Sequence, residues 1–163
     1  MIIRVVSGGQ TGVDRAALDA ALGAGLPVGG WCPRGRLAED GSIPPCYPLQ
    51  ETPTSRYRER TEWNVRDSDG TLVLTIEKPS QGTALTLGLA RKLGRPHFVV
   101  DLREPEDPRT SLDRLREGGV RILNVAGPRE STHPGIYRAA RAYLEALFAL
   151  TAPPASVKSP LDP

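Results

Sequence analysis

Residues 2–25 read IIRVVSGGQTGVDRAALDAALGAG, and this stretch sets the pattern for the rest of the chain. Ile2 to Val6 is a short apolar, β-branched run that stops at Ser7-Gly8-Gly9, as expected of a strand buried in a parallel sheet. A helix follows: Thr11 and Asp14 stand three apart in the manner of a capping box, and Val13, Ala17, Ala21 and Leu22 recur at helical spacing until Gly23 and Gly25 end the run. Two further units repeat the order of strand, small-residue loop and helix. One runs from Thr71 to Ile76, through Ser80-Gln81-Gly82-Thr83, to a helix ending near Leu93. The other runs from Val120 to Val125, through Ala126-Gly127-Pro128-Arg129, to a helix ending near Leu150.

Between these units the spacing predicts a strand near Leu26 to Gly29, a helix near Thr54 to Val65, a strand at His97 to Val100 and a helix from Thr110 to Glu117. Five strands alternating with five helices predict an α/β, three-layer αβα Rossmann-like fold with a five-stranded, mostly parallel sheet, because right-handed crossovers place helices on both faces. Strand order is not readable from such a pattern; 2-1-3-4-5 is the working expectation. One segment breaks the short-loop rule: residues 30–53 carry five prolines and no helical or alternating period. Long loops of this kind tend to be lids or binding loops, and Trp31, Arg34, Arg36, Glu39 and Asp40 supply groups suited to a ligand. The alternative is a surface excursion without function.

The 163 residues, with 39% hydrophobic and 25% charged side chains, fit one domain, expected over residues 1–151. Residues 152–163 hold four prolines and no period, and are expected to be a disordered tail. A net charge of 21 − 19 = +2 gives no footing for nucleic acid or a membrane surface. The opening apolar run is too short for a signal peptide or a membrane span. Cys32 and Cys46 form neither a CxxC pair nor a zinc-like cluster, so a cytoplasmic protein with reduced thiols and no protein-held metal is expected. The apolar arc of the last helix, Ile136, Ala139, Ala140, Tyr143, Leu144 and Leu147, leads to the expectation of a homo-oligomer.

In an open parallel sheet, ligands bind beyond the carboxyl ends of the strands, and three small-residue loops lead to that edge. Gly8, Gly9, Gln10, Thr11 and Gly12 allow close backbone approach ahead of a helix N-terminus, for which phosphate is the natural guest. The loop is neither a Walker A motif nor GxGxxG. Asp14 either stabilises the first helical turn or accepts a ribose hydroxyl or holds Mg²⁺; Arg15 pairs with a phosphate or reaches Glu39 or Asp40. Gly82 and Thr83 open a second helix N-terminus, with Ser80 or Thr83 as cap or anion contact. Gly127 and Arg129 form the third loop, where the arginine makes a bidentate anion contact or a surface ion pair. His133 is expected beside a helix start at Pro134, and Asp67 to Gly70 as a turn at the opposite sheet edge. Arg56, Arg58, Arg60 and Arg66, interleaved with Glu59 and Glu62, are expected to form a solvated helix face.

The blocks SGGQTGVDRAALDAAL, GWCPRGRLAEDGSIP, YPLQET, RTEWNVRDSDGTL and VAGPRES, in this order, resemble the putative molybdenum carrier family from Ile2 to about Leu147. That family is similar in turn to a Rossmann-like superfamily containing the LOG phosphoribohydrolases and DprA. The resemblance implies a small phosphorylated ligand of nucleotide or pterin type over the glycine loops, with molybdenum cofactor as the named cargo. With the reading of the loops and the long segment, the expected ligand contacts are Gly8 to Gly12, Asp14, Arg15, Arg36, Asp40, Gly82, Thr83, Gly127 and Arg129. The LOG signature places a catalytic glutamate where Thr86 stands, so binding is expected ahead of the alternative, a nucleotide N-glycosidic hydrolase with Glu39, Asp40 or Asp14 in the glutamate's place.

Overall fold

A computed structural model describes residues 1–151; the expected tail lies outside them. The main sheet is built of β1 (Arg4–Val6), β2 (Val28–Gly29), β7 (Gly70–Thr75), β8 (His97–Asp101) and β9 (Ile122–Ala126). All its pairings are parallel. Five helices accompany it: α1 (Val13–Gly23), α2 (Tyr57–Arg66), α3 (Gln81–Lys92), α4 (Pro108–Glu117) and α5 (Ile136–Ala149). Helix α5 packs on α1 and α4, whereas α2 packs on α3, which gives the three layers expected of the alternating pattern. No helix among the described residues is long and apolar enough to cross a membrane.

Strand order is the first correction. The sheet runs β2-β1-β9-β7-β8, so the last strand lies between the first and the third, and the working order of 2-1-3-4-5 does not hold for a count that starts at β1. Started at β7 and read from the other edge, the same sheet is 2-1-3-4-5. The layers and crossovers were legible; the place where the chain is cut was not, because each β-α unit carries the same pattern wherever the numbering begins.

Burial explains the strands. All six residues of β7 are buried, and Val5, Leu72, Leu74, Leu123 and Val125 are fully covered. On the α1 side, Ala16, Ala17, Ala20 and Ala21 let α5 come close, and Ile136, Ala140, Leu144 and Leu147 fill the contact. Full burial of each leucine contributes about 1.5–3 kcal/mol. The apolar arc of α5 is thus largely covered within the chain.

Helix caps differ from expectation at two places. Gly12, not Thr11, is the N-cap of α1, and no side chain caps it. Helix α5 begins at Ile136 after Gly135 in the left-handed region, two residues beyond Pro134. At α3 the expectation holds, since Ser80 Oγ accepts the N–H of Thr83. The long segment is more regular than its sequence shows. β3 (Trp31–Cys32) pairs in parallel with β6 (Gln50–Glu51), and β4 (Leu37–Ala38) pairs antiparallel with β5 (Gly41–Ser42). Two-residue strands are too short to leave a period.

Candidate functional site

The loops after β1, β7 and β9 converge with α2 on a cleft of about 520 Å³, within the roughly 300–1,000 Å³ usual for small-molecule sites. It lies at the carboxyl ends of the strands, where connections leave β7 and β1 in opposite directions across the sheet. This is the position that open α/β sheets use for ligands. The first loop contributes Gly8, Gln10 and Asp14, the second Ser80, Gln81, Gly82, Thr83 and Thr86, and the third Asn124 to Arg129. Helix α2 adds Tyr57, Arg58, Arg60, Thr61 and Asn64.

Of the expected contacts, the structure brings Gly8, Gln10, Asp14, Gly82, Thr83, Gly127 and Arg129 to the cleft wall. The others are occupied elsewhere. Gly9 adopts φ +75 and faces the long segment, where an added Cβ would meet Leu49 Cδ1 at 2.6 Å and Ile43 Cδ1 at 2.9 Å. Gly12 exists for close packing of two loops: its Cβ would stand 2.4 Å from the Pro128 carbonyl oxygen. Arg36 turns into its own loop, donating to the carbonyls of Ile43, Pro44, Tyr47 and Leu49 at 2.9–3.3 Å. Arg15 reaches Asp40 in a two-pronged ion pair, 2.7 Å on one prong, and also donates to the Gly9 carbonyl. Thr11 donates to Glu39, whose carboxylate also takes the backbone N–H and hydroxyl of Ser131.

These contacts fasten the long segment over the α1 N-terminus. Burial pushes the Glu39 carboxyl up, but the Ser131 and Thr11 hydrogen bonds outweigh it and hold the group below its usual range. Asp40 is likewise held low by the Arg15 guanidinium. Four N–H groups around the α1 start are spent. Gln10 donates to Asp14, Thr11 to the Gln10 side chain, Val13 to Pro128 and Arg15 to Gln10.

Helix α3 is different. Its first N–H groups have no partners within the helix by geometry, only that of Thr83 is capped, by Ser80, and an added Cβ on Gly82 would meet nothing within 4 Å. The helix dipole adds partial positive charge here. Arg129 lines the same cleft, 4.0 Å from Glu39 and 5.7 Å from the Tyr57 ring centroid. Thr86, in the place of the LOG glutamate, donates its hydroxyl to the Gly82 carbonyl.

Arg56, Arg58 and Arg66 are exposed, as expected of a solvated face of α2, but Arg60 departs from it. Its guanidinium lies across Gly8 and donates to Asp14 at 2.7 Å, with side chains 14% and 5% exposed respectively. Nothing in the charge spacing separates Arg60 from its neighbours; only the crossing of α2 over the first loop does. Asn64, also unsingled, binds the backbone of Trp31 through both ends of its amide. Asp67 accepts from Trp31 Nε1, and Asp69 accepts the N–H groups of Arg121 and Ile122, so this turn ties elements together at the far edge. Among the described residues no group of three or more His, Cys, Asp or Glu is placed to hold a metal ion.

A Rossmann-like sheet with a cleft at its switch point defines a class of ligand-binding proteins, and sequence comparison narrows it. A model of the circularly permutated YpsA SLOG family matches residues 5–148; the chain belongs to that family. Its permutation accounts for the strand order, since the 2-1-3-4-5 sequence begins here at β7. Among solved structures, one titled putative molybdenum carrier protein, from Syntrophus aciditrophicus SB, is 44% identical with a TM-score of 0.85, covering 90% of this chain and 94% of that one. No curated protein matches the chain.

Proposed function

We propose that this protein binds a small phosphorylated ligand of nucleotide or pterin type in the cleft, with molybdenum cofactor as its cargo. The observation that carries the reading is the start of α3: unspent N–H groups, an open Gly82 and the Ser80 and Thr83 hydroxyls face one cleft, with Arg129 beside them. Amides and hydroxyls at a helix N-terminus suit a phosphate. Tyr57 and Leu85 add apolar wall for a ring. The name of the related structure supports the choice of cargo. In molybdenum cofactor the pterin's own dithiolene sulfurs hold the metal, so the protein's task is to hold the phosphate and cover the ring.

Cleavage of an N-glycosidic bond asks for a carboxylate at the ribose or the attacking water. Glu39 and Asp40 stand outside the cleft, and Asp14, inside it, is paired with Arg60. Binding is therefore the reading to test first. Calorimetric titration with molybdenum cofactor, its metal-free pterin, AMP and GMP should give a Kd of about 100 μM or tighter for at least one, roughly −5.5 kcal/mol. Absence of binding by all four sinks the proposal.

A further inference from the structure

Two side-chain nitrogens on the cleft wall are buried without an acceptor: Gln10 Nε2 and Arg60 Nε. The orientation of the Gln10 amide is fixed. Its Oε1 accepts the N–H of Thr11 at 3.0 Å and that of Glu39 at 2.9 Å, and reversing the amide would set an NH₂ against two donors. Gln10 is 5% exposed. A buried donor without an acceptor is a cost that native chains rarely keep unless something completes it.

Asp14 touches both residues. Its Oδ2 takes the Gln10 N–H at 3.2 Å and Arg60 Nη1 at 2.7 Å, whereas Oδ1 takes no hydrogen bond from the described residues. Three contacting residues of one wall thus hold two donors that lack an acceptor and a carboxylate oxygen that takes no donor among the described residues. The complement is a ring edge with a carbonyl oxygen beside an N–H and an amino group, as in guanine or a 2-amino-4-oxopterin. Adenine presents an amino group where guanine has the oxygen.

The geometry points to Gln10, Asp14 and Arg60 as a ring-recognition subsite that selects guanine- or pterin-type rings over adenine, an assignment that rests on the ligand-binding function proposed above. The carbonyl oxygen takes the donors of Gln10 and Arg60, and Asp14 Oδ1 takes the ring N–H and amino group. Both nitrogens are closed to solvent in the free chain, so the ring enters as the Arg60 side chain turns. A single hydrogen bond, to Asp14, holds that guanidinium among the described residues. Gly8 gives it room, since an added Cβ there would lie 1.4 Å from Arg60 Nη1.

Titration of the full chain with GMP, IMP and AMP at one ionic strength tests this, because the three share ribose and phosphate. GMP should bind about tenfold tighter than AMP or better, a difference of about 1.4 kcal/mol, with IMP, which lacks the amino group, in between. Equal binding of AMP and GMP, or a preference for AMP, overturns the ring assignment and leaves phosphate binding standing. No binding of these nucleotides or of the pterin overturns both. Gln10→Glu keeps an oxygen for the two N–H groups and replaces the free nitrogen by a second oxygen. It should lower GMP affinity to that of AMP while sparing AMP; an unchanged GMP preference counts against the subsite. Thermal unfolding shows whether this variant folds, and if it does not, the wild-type series decides.

Discussion

Two glycines of the three loops serve different ends, and a single substitution in each separates them. Gly9 sits at φ +75 with Leu49 and Ile43 within 3 Å of where a Cβ would be. A valine there combines a left-handed backbone, about 1–3 kcal/mol, with overpacking of about 1–3 kcal/mol. Gly9→Val should therefore destabilise the fold by roughly 2–6 kcal/mol in urea unfolding, and any loss of ligand would follow from that. Gly82→Ala meets nothing within 4 Å and should stay within about 0.5 kcal/mol of the parent, as surface changes do, yet weaken binding by crowding the α3 amides. A Gly82→Ala protein with unaltered affinity would move the phosphate off this helix. The glycines stood out in the sequence, but which were ligand-facing did not, because what crosses Gly8, Gly9 and Gly12 comes from residues distant in the chain.

At the scale of elements, the long segment between β2 and α2 shows how a polar run can be structural. Arg36 looked like a ligand residue; instead its fork satisfies four carbonyls of an irregular loop, work that regular strands do for themselves. Arg36→Met strands those acceptors, at about 1–3 kcal/mol for a buried one left unpaired. It should raise amide exchange through residues 36–49 before it touches the main sheet. If exchange rises uniformly over the chain, the arginine is supporting more than its loop. The same segment is fastened by Glu39 to Thr11 and Ser131 and by Asp40 to Arg15. Both carboxyls lie below their ordinary range in the folded chain. A depressed folded value means that their contribution is complete above the unfolded pKa, about 4, and fades as pH falls through the lower folded one. Stability should decline on that acid limb, and Glu39→Gln with Asp40→Asn should flatten it while lowering stability at neutral pH. An acid limb of unchanged slope in the double variant would show that other carboxylates set it.

For the whole molecule, the strand order makes a prediction that neither residues nor elements make. β9 and β1 are parallel neighbours, in register from Arg4 opposite Ile122 to Val6 opposite Asn124, and α5 packs along α1 beside them. Helix α5 follows β9 and so returns toward the amino edge of the sheet, where β1 begins. A covalent link from the chain end to Met1 would complete an ordinary β-α-β crossover. The opposite cut belongs between Asp67 and Ser68, where a turn separates α2 from β7. Asp69 stays with β7 there and keeps its hydrogen bonds to Arg121 and Ile122. Such a permutant would start at β7 and read 2-1-3-4-5 along the chain, with a Gly/Ser linker in place of residues 152–163 closing Thr151 onto Met1 at up to about 3.3–3.6 Å per residue. Since the sheet, the core and the three cleft loops stay whole, it should fold with the same circular dichroism spectrum. It should bind the same ligand, with affinity changed less than about tenfold, or about 1.4 kcal/mol. The order in which strands join would change, because β7, β8 and β9 become the first to be made and β1 the fourth. A permutant that folds but loses the ligand would show that the cleft depends on the present order of the strands along the chain, whereas one that fails to fold would place an essential contact at the α2–β7 turn.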